Sequence, residues 1–181
     1  MPDLFGQYKG LYRSFRLYWR AYGGTKALLL SPYLHTSVVL AVLLHPLWGV
    51  CSESPWYEIT VTVLPNLLGF TLGGYAILMA FGDDKFRERI AGEDDDGKPS
   101  PFMVVNSAFI HFILIQMIAI LLSLFGKAVK PKGDVLSFFG MFFFVYALLT
   151  ALAAGFAVLN IADWFDVVAK RNRDAKRKGY E

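Results

Sequence analysis

The side chains of this chain that could carry acid–base or metal chemistry are few and far apart. Its three histidines are His35, His45 and His111, and its single cysteine is Cys51. No HExxH pair, paired zinc spacing, GxSxG, P-loop or GxGxxG is present. One thiol excludes an internal disulfide and a cysteine-based metal cluster within a single chain. We therefore expect no catalytic residues, no metal site and no cofactor, and predict that the protein is not an enzyme.

Acidic side chains are concentrated in one segment, between Gly82 and Pro101. They include Asp83, Asp84, Glu93, Asp94, Asp95 and Asp96. Clustered carboxylates are ligands that Ca²⁺ or Mg²⁺ would take, but a calcium loop places its ligands at alternating positions before a glycine. Consecutive acids point their side chains apart, so we expect a solvated turn here rather than a metal site.

Small and polar residues follow a helical spacing in one apolar run. Thr62, Asn66, Gly69, Gly73 and Ala76 are separated by four, three, four and three residues, which places them on one face of a helix. Such a face is typical of membrane helices that pack closely. The less favoured alternative is that it lines a water-filled path gated by apolar constriction. A path would require a symmetric homo-oligomer, because four helices are too thin to enclose one.

A second run repeats this spacing near the carboxyl end. Its members are Tyr146, Thr150, Ala153, Ala157 and Asn160. We predict that this face and the first one hold the homo-oligomer together, as packing or pore-lining surfaces.

Three polar residues in a third run differ from these stripes. Asn106, His111 and Gln116 are five residues apart, and each step rotates a helix by about 140°. Because they cannot share one face, we expect this helix to be surrounded by protein, with its polar groups hydrogen-bonded to neighbours.

The elements that must position these residues are long apolar helices. Of the 181 residues 55% are hydrophobic and 18% charged, against about 45–50% and 25% in soluble domains. Four runs without Asp, Glu, Lys or Arg each exceed the roughly 20 residues that cross a bilayer. We predict an all-α, four-span membrane domain over 27–162, with spans near 28–49, 58–82, 102–126 and 135–162.

The distribution of cations predicts the orientation. Fifteen of the 18 Lys and Arg residues lie before the first span, between the second and third, or after the fourth. The positive-inside rule places these three segments in the cytoplasm. We therefore expect a multi-pass inner-membrane protein with both termini cytoplasmic.

The two terminal segments carry the remaining candidate binding residues. Residues 1–26 contain a predicted helix near 4–22, whose aromatic residues, Tyr18 and Tyr22 among them, share one face, with the cations about a quarter-turn away. This is the pattern of an interfacial amphipathic helix. Residues 163–181 form a basic tail. Anionic lipid is the expected partner of both. A soluble cytoplasmic protein is the alternative for both, and a nucleic acid a less favoured one for the tail. The cations concerned are Lys9, Arg13, Arg16, Arg20, Lys170, Arg171, Arg173, Lys176, Arg177 and Lys178.

One glycine-rich stretch carries a resemblance. The run from Pro65 to Tyr75, PNLLGFTLGGY, followed by Phe81-Gly82-Asp83, resembles small uncharacterised four-span bacterial inner-membrane proteins. In overall build the chain also resembles membrane subunits of phage-defence operons such as Kiwa. That resemblance implies a membrane sensor or effector with a cytoplasmic partner. Together with the small-residue faces, it makes a channel-like effector or sensor our first hypothesis for the function. A membrane scaffold that recruits a soluble protein through its basic termini is the alternative.

Overall fold

The structure, a computed structural model, describes residues 4–49, 55–80, 98–131, 133 and 135–178. Every element in those ranges is an α-helix. The helices are α1 (Leu4–Tyr22), α2 (Gly24–Leu29), α3 (Pro32–Leu43), α4 (His45–Trp48), α5 (Trp56–Ala80), α6 (Pro101–Val129) and α7 (Val135–Lys178). The acidic segment between Gly82 and Pro101 lies almost entirely outside the described residues, as does Cys51.

Three helices are long and apolar enough to cross a membrane. The qualifying segments are Trp56–Ala76 of α5, Pro101–Val129 of α6 and Val135–Trp164 of α7. They coincide with the second, third and fourth predicted spans. An all-helical protein with helices that could cross a membrane is thereby confirmed, with three such helices among the described residues.

The predicted first span, 28–49, is divided, and the expectation of one continuous helix there was wrong. α2 ends at Leu29, α3 contains only 12 residues, and α4 contains four. The breaks fall at Ser31-Pro32 and Leu44-His45-Pro46. Proline has no N–H to donate to the preceding turn, so each proline starts a new helix instead of continuing the old one.

Small buried residues allow the helices to approach closely. α6 packs against α5 and α7, and α3 packs along α7. Ala41 of α3, Ala119 of α6 and Ala147 of α7 are completely buried. Because lipid is as apolar as leucine, close van der Waals packing replaces the hydrophobic effect as the force between membrane helices.

One tryptophan fills a slot between α6 and α7 that two glycines create. Trp56 is 1% exposed. A Cβ atom added at Gly126 would lie 2.8 Å from its Cζ2 atom, and one added at Gly140 would overlap the same ring. The start of α5 is therefore anchored by an aromatic ring that only glycine can accommodate.

Only the last turn of α1 packs against the other helices. Tyr18 and Ala21 are buried, whereas Tyr8, Leu11 and Phe15 are more than half exposed. α1 then turns into α2 through Gly23 and Gly24, whose φ angles of 97° and 66° fall in the region that favours glycine. The predicted helix near 4–22 is present, and most of its aromatic face is left uncovered by the other described helices.

Candidate functional site

A buried histidine in α6 joins three helices. The hydroxyl of Tyr18 in α1 lies 2.7 Å from Nδ1 of His111, and the hydroxyl of Tyr146 in α7 lies 2.8 Å from Nε2. His111 is 5% exposed. It lies ten residues into α6, which is about 15 Å along the helix axis. Both ring nitrogens are thus occupied by phenols from other helices.

A third tyrosine completes the cluster. The ring of Tyr22 stacks on His111 with centroids 4.1 Å apart and planes inclined by 18°. The result is a hydrogen-bonded chain that runs from Tyr18 through the imidazole to Tyr146, with the ring of Tyr22 stacked against the imidazole. Moving the imidazole proton from one nitrogen to the other reverses the direction of donation along this chain.

The two α1 phenols are held in their neutral form. Burial raises the pKa of Tyr18 to about 12, and the neighbouring Tyr22 adds to the effect. Burial also raises the pKa of Tyr22 above its ordinary value of 10.0, with the nearby hydroxyl of Tyr146 acting in the opposite direction. Neutral phenols both donate and accept, so each can serve a neighbour in either direction of the chain.

An open cleft of about 280 Å³ lies beside this cluster. Tyr22 and His111 form one wall. The other lining residues come from the α2–α3 break, α6 and α7: Ala27, Leu30, Ser31, Pro32, Tyr33, Ala108, Thr150 and Ala153. The cleft is mainly apolar, with hydroxyl and imidazole groups at its edges. Such a surface suits a small ligand oriented by a few hydrogen bonds.

Metal-binding groups do not converge at the cluster. Across the residues that the structure describes, no three His, Cys, Asp or Glu side chains come together. The groups on hand are phenols, one imidazole, hydroxyls and backbone amides. They can bind a ligand and pass a proton along a hydrogen-bonded chain.

The other two polar residues of α6 have different surroundings. Asn106 Oδ1 accepts a hydrogen bond of 2.8 Å from the Tyr75 hydroxyl of α5. Gln116 is completely buried, and neither amide atom has a hydrogen-bond partner among the described residues. The predicted bonding of these buried polar groups is therefore confirmed for Asn106 and His111 and wrong for Gln116.

The α5 stripe is not covered by any other described helix. Thr62, Asn66, Gly69, Gly73 and Ala76 are all exposed. A Cβ atom added at either glycine would meet nothing within 4 Å in the described chain. The stripe is thus a continuous uncovered surface along a helix that could cross a membrane.

The α7 stripe is used mostly inside the chain. Thr150 and Ala157 are buried, and Ala153 lines the cleft. Ala157 belongs to the apolar cluster that includes Val105 of α6, and Asn160 alone is exposed. The small residues of α7 therefore serve the contact between α6 and α7.

The predicted cationic residues are at the surface where they are described. Lys9, Arg13, Arg16 and Arg20 are exposed on α1. Lys170 and Arg173 are exposed near the end of α7, whereas the side chains of Arg171, Lys176, Arg177 and Lys178 lie outside the description. The exposed cations form one group on α1 and another beyond the apolar part of α7.

Sequence reasoning placed His111 in a protein-surrounded helix but did not find its partners. Tyr18 and Tyr22 appeared there as part of an aromatic helix face, and Tyr146 as part of a stripe. The available signal was the spacing of the two tyrosines. Tyr18 and Tyr22 are four residues apart, so they lie on the same face of α1 and can contact the same side chain.

Comparisons with known proteins leave the geometry as the basis for any assignment. No protein-family model, curated protein or solved structure matches this chain. The uncovered α5 stripe, the histidine–tyrosine cluster and the adjoining cleft are therefore the features from which a function must be argued.

Proposed function

We propose that this protein is a channel-like membrane effector or sensor that works as a homo-oligomer. The observation that carries the proposal is the uncovered stripe on α5. Glycine and alanine faces associate in membranes because they let helix backbones approach closely. Since α7 uses its own small residues inside the chain, α5 is the helix left to meet other copies.

The polar residues of the stripe favour a path over a simple packing surface. Asn66 is exposed, and its Nδ2 donates to the carbonyl of Thr62 at 2.9 Å. Its Oδ1 has no hydrogen bond to any described residue. Facing lipid, such an oxygen would lack a partner at substantial cost. Facing a symmetry axis, it would meet water or the same amide of a neighbouring copy.

We further propose how the chain sits in the membrane. α3 and α4 together form a first crossing, so the bacterial inner membrane is traversed four times with both termini in the cytoplasm. From Pro32 to Trp48 the rise is about 25 Å, somewhat short of the roughly 30 Å hydrocarbon core. The charge distribution supports this orientation. α1 would then rest at the cytoplasmic interface, with its exposed cations near anionic lipid.

Ion flux into proteoliposomes tests the proposal. The reconstituted protein should conduct, and Gly73→Leu should block conduction by filling the axis. Gly155→Leu is the matched control, because a Cβ at Gly155 of α7 also meets nothing within 4 Å. Absence of flux from correctly assembled protein, or equal flux from both variants, would contradict the proposal.

A scaffold that recruits a soluble protein is the second candidate. The uncovered aromatic residues and cations of α1 favour it, because they offer a docking surface. Neutralising Lys176, Arg177 and Lys178 should then release the partner while leaving conductance unchanged. A protein that never conducts, yet loses a cytoplasmic partner on this change, would favour the scaffold.

The resemblance to defence-operon membrane subunits motivates a biological test. We propose that expression with the neighbouring genes lowers the plaque number of infecting phage. Gly73→Leu should abolish that protection and Gly155→Leu should retain it.

A further inference from the structure

The break between α2 and α3 leaves a helix start inside the cleft. α3 begins at Pro32, and Leu30, Ser31, Pro32 and Tyr33 all line the cleft. Broken helices of this kind, lying within a membrane protein, present backbone dipoles to bound ligands. The cleft therefore has a defined polar end, formed by the start of α3, and an apolar remainder.

Backbone donors are unoccupied at this polar end. Within the described chain, the N–H groups of Tyr33 and Leu34 make no hydrogen bond; the first paired amide is that of His35, which donates to the Ser31 carbonyl at 3.3 Å. Pro32 has no N–H. Free amides and the helix dipole together give the start of a 12-residue helix a partial positive charge.

An unpartnered side chain provides a second, independent sign of a ligand. Ser31 is 8% exposed, so it is more than nine-tenths buried. It occupies the position that normally caps the helix, yet its side chain makes no capping hydrogen bond. Its hydroxyl has no partner among the described residues and faces the cleft, whose lining includes Ser31. Because this hydroxyl is open to the cleft, it is available to donate its proton to a ligand bound there.

The other lining residues of the cleft limit which chemical group can accept these protons. Its described lining contains no Lys or Arg, so a doubly charged group would lack a counter-charge. A single carboxylate can accept the hydroxyl and the two amide protons without one, since charge-assisted hydrogen bonds are strong. Ala108 and Ala153 on the facing walls leave room for a short apolar chain. A volume of about 280 Å³ lies just below the range for drug-sized ligands, so the ligand is small.

We propose that this cleft binds a small amphiphilic carboxylate, the chemistry of a short fatty acid. The carboxylate oxygens accept from the Ser31 hydroxyl and the free amides of α3, and the apolar part lies between Ala108 and Ala153. Because Tyr22 and His111 form the adjoining wall, an occupied cleft contacts the cluster that ties α1 to the helices behind it.

Octanoate is the probe. Its binding to the full-length protein in nanodiscs is measured, and the signal from empty nanodiscs is subtracted. Saturation-transfer NMR should show saturable binding of octanoate. Ser31→Ala should weaken this binding about tenfold, the effect of losing one hydrogen bond to a charged group. Ala153→Leu should abolish it by filling the cleft, whereas Ala162→Leu, the same change at an exposed position of α7, should leave it unchanged.

Two further ligands separate the alternatives. Octanol has the same chain without charge, and octyl phosphate carries a different oxyanion. Octanol binding as tightly as octanoate, or octyl phosphate binding more tightly, would overturn the proposal. Wild-type affinity in both Ser31→Ala and Ala153→Leu would do the same.

Folding is checked by helical circular dichroism and elution volume. If Ala153→Leu fails that check, the smaller Ala108→Val fills the cleft in its place, and unaltered octanoate binding by a folded Ala108→Val would count against the site. The assay does not use conduction, so its outcome is separate from that of the proposed channel.

Discussion

The hydroxyl of Tyr18 lies 2.7 Å from Nδ1 of His111, a residue 93 positions further along the chain. This contact joins the N-terminal helix, most of whose aromatic face is exposed, to a histidine well inside an apolar helix. α1 is thereby connected through one imidazole to Tyr146 of α7. One side chain of α6 therefore contacts both α1 and α7.

Removing the Tyr18 hydroxyl should loosen α1. Tyr18→Phe leaves Nδ1 of a buried imidazole without its partner, which costs about 1–3 kcal/mol. Thermal unfolding should shift down, and amide hydrogen exchange should rise in the last turn of α1. Tyr12→Phe is the control, since Tyr12 is 67% exposed and should alter neither measurement. Equal exchange in the two variants would mean that the hydrogen bond does not hold α1 in place.

Alkaline pH should release the same helix. Burial raises the pKa of Tyr18 from 10.0 to about 12, so ionisation is harder in the folded state than in the unfolded one. The corresponding stability is complete below pH 10 and is lost as the pH rises toward 12. Tyrosinate absorbance of wild-type protein minus that of Tyr18→Phe should show a group titrating near 12. A difference curve centred near 10 would refute the burial of this phenol.

A methyl group in the tryptophan slot should destabilise the contact between α5 and α7. Gly140→Ala places a Cβ atom into the ring of Trp56, and overpacking of this kind costs about 1–3 kcal/mol. Trp56→Leu should relieve that clash, so the double variant should be more stable than the two separate losses predict. Thermal unfolding in detergent measures all three variants. Gly155→Ala, which meets nothing within 4 Å, should instead be neutral or slightly stabilising. Additive losses in the cycle would show that Gly140 and Trp56 do not interact.

Replacing the unpaired glutamine should stabilise the protein. Gln116 is completely buried with both amide atoms unpartnered in the described structure. Gln116→Leu keeps most of the volume and removes that penalty, so the free energy of unfolding should rise by about 1–3 kcal/mol. Gln7→Leu, at an exposed position of α1, should change it little. A loss of stability in Gln116→Leu would indicate that the amide has a partner, such as water, in the membrane.

The long helices could be predicted because charge is expensive in hydrocarbon. The runs that became α5, α6 and the apolar part of α7 are free of charge over lengths that only a membrane requires, and this property is local to each run. The division of the first run was visible in its Ser31-Pro32 and His45-Pro46 pairs. A hydropathy scale does not register that proline lacks an N–H. The prediction based on hydropathy therefore treated residues 28–49 as one span, although the two prolines divide it.

The site could not be predicted because its contacts are long-range. His111 meets residues that are 93 and 35 positions away, and periodicity describes only faces of single helices. The two small-residue stripes illustrate the same limit. Gly73 and Ala157 occupy equivalent positions in equivalent patterns, yet one is exposed and the other is covered by α6. Spacing identifies a face and leaves open which neighbour covers it.

α7 continues without interruption for 44 residues, from Val135 to Lys178. From Tyr146 to its last residue the helix rises about 48 Å, well past the apolar part that ends at Trp164. A continuous helix of this length can move as one rigid piece. A partner bound at its basic end would therefore displace Tyr146, and with it the hydrogen bond to His111.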